Sequence, residues 1–104
     1  MPTKEKWLDH MQSRLSKVCE AQNWDLKQTS ALETGTRSFV VNDGSKNLTV
    51  LLSSLVCTRI HANAIFEYDD IEYDEAMIRT VLARKFDEVR NTKHRKVGQR
   101  FLSK

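Results

Sequence analysis

The sequence is poor in the residues that punctuate or staple a chain: of 104 residues, one is proline, three are glycine and two are cysteine. Isolated glycines at 35, 44 and 98 suit turns or interruptions, and they exclude both a glycine-rich linker and a phosphate-cradling loop. Cys19 and Cys57 lack the close pairing of a zinc or redox motif, so both are expected as small core hydrophobes. No apolar run approaches the ~18 residues that a membrane span requires, and residues 1–12 contain no apolar signal core. A cytoplasmic chain that does not enter a membrane is the expectation.

Chemistry is equally thin. The three histidines, His10, His61 and His94, fall in different segments without a Cys, Asp or Glu at a spacing typical of metal sites. No serine lies in a nucleophile elbow. The expectation is therefore no enzyme activity, no catalytic residue, no metal and no cofactor. The carboxylates Glu67, Asp69, Asp70, Glu72, Asp74 and Glu75 are hard-oxygen donors, but they do not make a calcium loop of the helix–loop–helix kind. Such a loop needs glycine at its sixth position and glutamate at its twelfth; counted from Asp69, those places hold Asp74 and Thr80. The cluster reads as a solvated helix start, with an acidic patch that docks a basic surface as the second reading.

What the chain does have is ordinary globular composition, 39% hydrophobic and 30% charged, in a length that fits one domain. Residues 1–91 are expected to form that domain and residues 92–104 a basic tail. The formal charge of +3 hides three regions: residues 1–64 carry +2, residues 65–78 carry −6 and residues 79–104 carry +7.

From residue 3 to 22 the apolar residues Trp7, Leu8, Met11, Leu15, Val18 and Cys19 recur at helical spacing and fill an arc of about 120°. Thr3 is the expected N-cap, and Asn23 is suited to the left-handed conformation that ends a helix. Between residues 24 and 68 the period changes to two, which predicts strands at 24–32, 37–41, 47–53 and 56–68. The Asp43-Gly44 step marks a hairpin. In the last segment Val56, Ile60, Ala62, Ala64, Phe66 and Tyr68 alternate with Arg59, His61, Asn63 and Glu67, so one face is buried and one is wet. From 70 to 91 the helical period returns through Ile71, Ile78, Val81, Leu82, Phe86 and Val89. Met77 widens that arc, acidic residues stand at its start and basic residues at its end, as the helix dipole favours. The resulting fold class is α+β: an N-terminal helix, an antiparallel meander of three or four strands, a C-terminal helix and a basic tail, with both helices packed on one sheet face.

Candidate binding surfaces follow from that layout. Arg59, His61 and Asn63 line the open sheet face, near Arg37 under the simplest register. The aromatics needed for base stacking, Phe39, Phe66 and Tyr68, share the buried pattern, which argues against RNA recognition by the sheet. The α-β-β-β-α order is also that of double-stranded RNA-binding domains, whose last helix begins with lysines. Here 70–75 is acidic, so the order matches without the chemistry. The basic candidates are Arg84, Arg90, Lys93, Arg95, Lys96 and Arg100, a set able to displace counterions from DNA or RNA. Apolar Phe101 and Leu102 could dock on a protein, and Met77 with Lys85, which falls inside the apolar arc, could line a two-fold seam.

The function that these features support is a small non-enzymatic binding or regulatory protein acting through macromolecular contact as a homodimer. The alternative is a nucleic-acid-binding protein that uses the basic helix end and tail.

Overall fold

The computed structural model describes residues 4–29, 35–54, 62–68 and 73–102, with residues 92–102 described by backbone alone. In chain order a helix, four strands and a second helix follow one another: α1 (Lys4–Gln22), β1 (Asp25–Thr29), β2 (Thr36–Asn42), β3 (Asn47–Ser53), β4 (Ala64–Glu67) and α2 (Glu75–Leu102). The class is α+β, as the periodicities imply. The buried side of α1 is the predicted set, Trp7, Leu8, Met11, Leu15, Val18 and Cys19. Asn23 ends the helix at φ 60°, and the Trp24 N–H reaches back to the Cys19 carbonyl at 2.8 Å, a geometry that satisfies an otherwise orphaned helix carbonyl.

The sheet order is β1-β2-β3-β4. Strands β1, β2 and β3 form the expected antiparallel meander, with Leu26 opposite Val41 and Phe39 opposite Val50. The fourth pairing departs from the meander: β4 lies parallel to β3, Val50 beside Ala64 and Leu52 beside Phe66. Alternation reports which side of a strand is buried and is blind to strand direction. The described strand is also shorter than the predicted 56–68, of which residues 56–61 lie outside the described residues.

Asn63 fastens the entry of β4. Its backbone N–H donates to the Thr49 carbonyl at 3.0 Å, and its side-chain oxygen accepts from the Thr49 N–H at 2.8 Å. At the other end the Tyr68 N–H donates to the Ser53 carbonyl at 2.9 Å.

Both helices cover one face of the sheet. Phe39, Val41, Leu48, Val50, Leu52, Ala64 and Phe66 meet the apolar side of α1 and, from α2, Ile78, Leu82 and Phe86 in a single core. Three aromatic pairs tie its layers: Trp7 with Tyr68 at 5.5 Å, Trp24 with Phe86 at 5.1 Å and Phe66 with Tyr73 at 4.8 Å between ring centroids. Arg37 lies on this helix-covered side, not beside Asn63 on the opposite face. It donates to Gln12 Oε1 at 2.8 Å and pairs with Asp9 at 2.9 Å and Glu5 at 3.3 Å on α1. Position 37 pairs with Leu52 across the ladder, and that register sets its face.

The side of the sheet away from the helices is not uniformly wet. Leu51 alternates with Val50 and Leu52, so it projects from that other side, yet it is only 1% exposed. Its ladder neighbours are Ser38 and Ile65, both half-buried.

Candidate functional site

The electrostatic reversal noted in the sequence falls on α2. Asp74 precedes the helix, and its carboxylate accepts from the Met77 N–H at 2.8 Å, the bond an N-cap makes. The helix therefore begins at Glu75, later than residue 70; residues 69–72 lie outside the described residues. Its apolar stripe, Ile78, Leu82 and Phe86, is buried, with Val81 and Val89 half-buried beside it. Past Val89 the helix does not stop. It continues through Gly98 to Leu102, although glycine costs a helix interior about 1 kcal/mol relative to alanine. A helix of 28 residues rises about 42 Å, more than the molecule's two shorter dimensions of 30 and 25 Å, so it follows the 52 Å axis.

The sequence candidates divide into two groups on this helix. Arg90, at the last turn before the basic run, is tied to the body. It pairs with Asp43 in the β2–β3 turn and with Asp87 at 2.9 Å, and its guanidinium lies 5.9 Å from the centre of the Phe86 ring. Lys85 is half-exposed and reaches Glu88 at 3.5 Å, the path by which a lysine lays its stem on apolar surface and keeps its charge wet. Met77 is half-buried and Arg84 exposed. Lys93, Arg95, Lys96, Arg100, Phe101 and Leu102 all stand on the continuous helix. Among these, positions 93, 96 and 100 extend the stripe that runs through 78, 82 and 89, so one line of the helix changes from apolar to cationic. Beyond Glu88 the sequence has no further acidic residue.

Asp43, which sequence reading treated only as a turn residue, is the body's anchor for this helix. Its Oδ1 accepts from the backbone N–H of Ser45 at 2.9 Å and of Lys46 at 2.8 Å, while Gly44 takes the positive φ of 104° that the turn requires. The hydrogen bonds from Ser45 and Lys46, with the Arg90 charge after them, hold the Asp43 carboxyl below its ordinary value. A carboxylate depressed in this way contributes stability that is present above its unfolded value of about 3.9 and is lost as pH falls through the folded value. Asp43→Ala is expected to cost about 1–2 kcal/mol at neutral pH through its lost hydrogen bonds. The gap from wild type should narrow towards about pH 3. Denaturant titrations at the two pH values check this, and an equal difference at both would contradict it.

Elsewhere the titratable groups have structural surroundings. Burial, with the Asp25 charge adding to it, pushes the Cys19 thiol up to about 11, far from the thiolate that reacts or binds metal. His10 is exposed, and no group of three His, Cys, Asp or Glu among the described residues could hold a metal ion. Arg14 donates to the Tyr73 carbonyl at 2.8 Å and borders a shallow depression with Asp74, Glu75 and Ala76 at the start of α2. Arg59, His61 and Cys57 lie outside the described residues. No helix among the described residues is long and apolar enough to cross a membrane. Compared with known proteins, the chain matches no family model, no curated protein and no solved structure.

Proposed function

We propose that this chain is a non-enzymatic binding protein that holds nucleic acid through the basic second half of α2. The observation that supports the reading is the continuity of α2: the element packed into the core carries Lys93, Arg95, Lys96 and Arg100 on the same helix beyond it. A helix whose root is buried presents its charges in the order the helix sets, which costs less ordering on binding than a free tail would. The homodimer reading rests on Met77 and Lys85, which stay half-buried on α2. That reading has less to account for, because α1 and β4 already occupy much of the wide apolar arc and Lys85 has an intramolecular partner.

Fluorescence anisotropy of labelled mixed-sequence DNA and RNA, titrated with the full chain across a salt series, tests the proposal. Four phosphate contacts give a log–log slope of about −3 to −4 and roughly a hundredfold loss of affinity between 50 and 200 mM salt. Combined Lys93→Ala, Lys96→Ala and Arg100→Ala should flatten most of that slope, and alanine keeps the helix intact. No binding at low salt, with sedimentation showing a dimer, would overturn the proposal in favour of contact between protein chains.

A further inference from the structure

The sheet ends at β1 on one side, and among the described residues no strand pairs with its outer edge. Asp25, Lys27, Gln28 and Thr29 are exposed there, and Leu26 is half-buried against the core. A bare edge of this kind is a template for another strand. We infer that its occupant is β1 of a second copy of this chain, running antiparallel and centred on Leu26, so that two four-stranded sheets join into one across a two-fold axis. The seam is independent of the basic half of α2 and uses neither Met77 nor Lys85.

The first ground is the direction of the backbone groups. In the β2–β3 turn the Asp43 N–H donates to the Lys46 carbonyl at 3.2 Å, and beyond the far end of the same ladder the Ser54 N–H donates to the Gly35 carbonyl at 2.8 Å. Hydrogen-bonded and non-hydrogen-bonded pairs alternate along an antiparallel ladder. Positions 37, 39 and 41 of β2 therefore bond to β3, and positions 38, 40 and 42 turn their backbone groups to β1. Their partners on β1 are Thr29, Lys27 and Asp25. The N–H and C=O of Leu26 and Gln28 consequently point away from β2, out of the sheet. An added strand bonds to those two residues, so outward residues must oppose outward residues across the seam.

The second ground is charge. A two-fold pairing is centred on one residue opposite itself, and each of the five residues of β1 is an available centre. Centring on 25 opposes two aspartates and centring on 27 opposes two lysines, and like charges directly across a sheet are destabilising. Centring on 28 or 29 gives neither charge an opposite partner. Centring on 26 sets Asp25 opposite Lys27 of the second copy, and by symmetry does so twice. Because both positions bond to β2, they meet across the seam as a non-hydrogen-bonded pair, the class with the closer side chains and Cα atoms about 4.5 Å apart. Leu26 then opposes Leu26 on the core side, next to half-buried Trp24. Among the described residues no ion pair engages Asp25 or Lys27. A lysine on an edge strand ordinarily wards off pairing, but Asp25 two residues earlier makes it select one register. The opposite edge, β4, carries Glu67 as its sole charged residue, so no self-pairing there joins opposite charges. The β1 pairing closes at two copies.

A seam of one strand per copy lies at the small end of protein interfaces, so monomer and dimer are expected to exchange in the micromolar range. Sedimentation equilibrium of the full chain from about 5 to 500 µM reads that exchange. Asp25→Lys and Lys27→Asp each place two like-charged pairs across the seam and should each weaken dimerisation at least about tenfold. The two combined should restore it to within about threefold. Gln28→Pro should abolish it while dilute protein keeps its thermal melt, because proline is tolerated on an edge strand where the N–H faces outward. Lys85→Glu should change nothing. In residue-resolved hydrogen exchange the Leu26 and Gln28 amides should gain protection as concentration rises, whereas Lys27, already bonded to β2, should not. A chain that stays monomeric at the highest concentration overturns the inference, and so does a dimer that the charge variants leave unchanged or that Lys85→Glu dissociates.

Discussion

Replacing Phe86 by alanine is expected to lower the unfolding free energy by about 3–5 kcal/mol, the range for deleting a large core aromatic. Phe86 is 2% exposed, its ring meets Trp24 at 5.1 Å, and the Arg90 guanidinium lies over the ring, 5.9 Å from its centre. The substitution therefore removes buried apolar area, one aromatic pair and the support under Arg90 together. A domain of this size has about 5–15 kcal/mol in total, so the variant sits near the limit of folding. Its melting temperature should fall by more than about 12 °C. Phe86→Leu fills most of the space and should recover the greater part of the loss. Urea unfolding with an unchanged m-value would show that the loss is one of stability alone. A change below about 1 kcal/mol would mean that α2 is not seated in the core, and the case for a basic helix with a buried root would go with it.

Leu51→Ala is expected to cost about 2–5 kcal/mol, although alternation places residue 51 on the side of the sheet without helices. On a wet face the same change would stay within about 0.5 kcal/mol. The structure leaves Leu51 1% exposed between half-buried Ser38 and Ile65, so its methyl groups are covered and a cavity would follow their removal. Ile65→Ala is expected to cost less than Leu51→Ala because Ile65 is itself only partly covered. The pair measured side by side by thermal and urea unfolding decides whether that face is open. Equal, near-zero effects would show that it is.

The candidate site was legible in composition and illegible in geometry. Counting charge by segment finds Lys93, Arg95, Lys96 and Arg100, and Gly98 with the fading apolar period argues for ending the helix near residue 91. Glycine lowers propensity by about 1 kcal/mol, an amount that tertiary context overrides, and the helix runs on to Leu102. Only then do 93, 96 and 100 become one row. Arg90 looked equivalent to its basic neighbours, yet it is drawn out of the set by Asp43, 47 residues away in sequence. A partner at that separation leaves no local trace. Lys85 was readable from the wheel as a cation in an apolar arc, and it behaves as such a lysine does, extending to Glu88.

By itself the sequence determined the quantities that repeat along a single element. The six buried residues of α1, the turn at Asp43-Gly44, the inward positions Phe39, Ala64 and Phe66, and the α+β class all follow from periods of 3.6 and 2, which each segment carries within its own residues. Tertiary structure decided what depends on two distant segments meeting: the parallel entry of β4, the side on which Arg37 finds Glu5, Asp9 and Gln12, the cover over Leu51, and the Asp43–Arg90 tie. Strand direction and ion pairing are fixed by chain closure and by contacts across long separations. A side-chain pattern of period two is the same whichever way the strand runs.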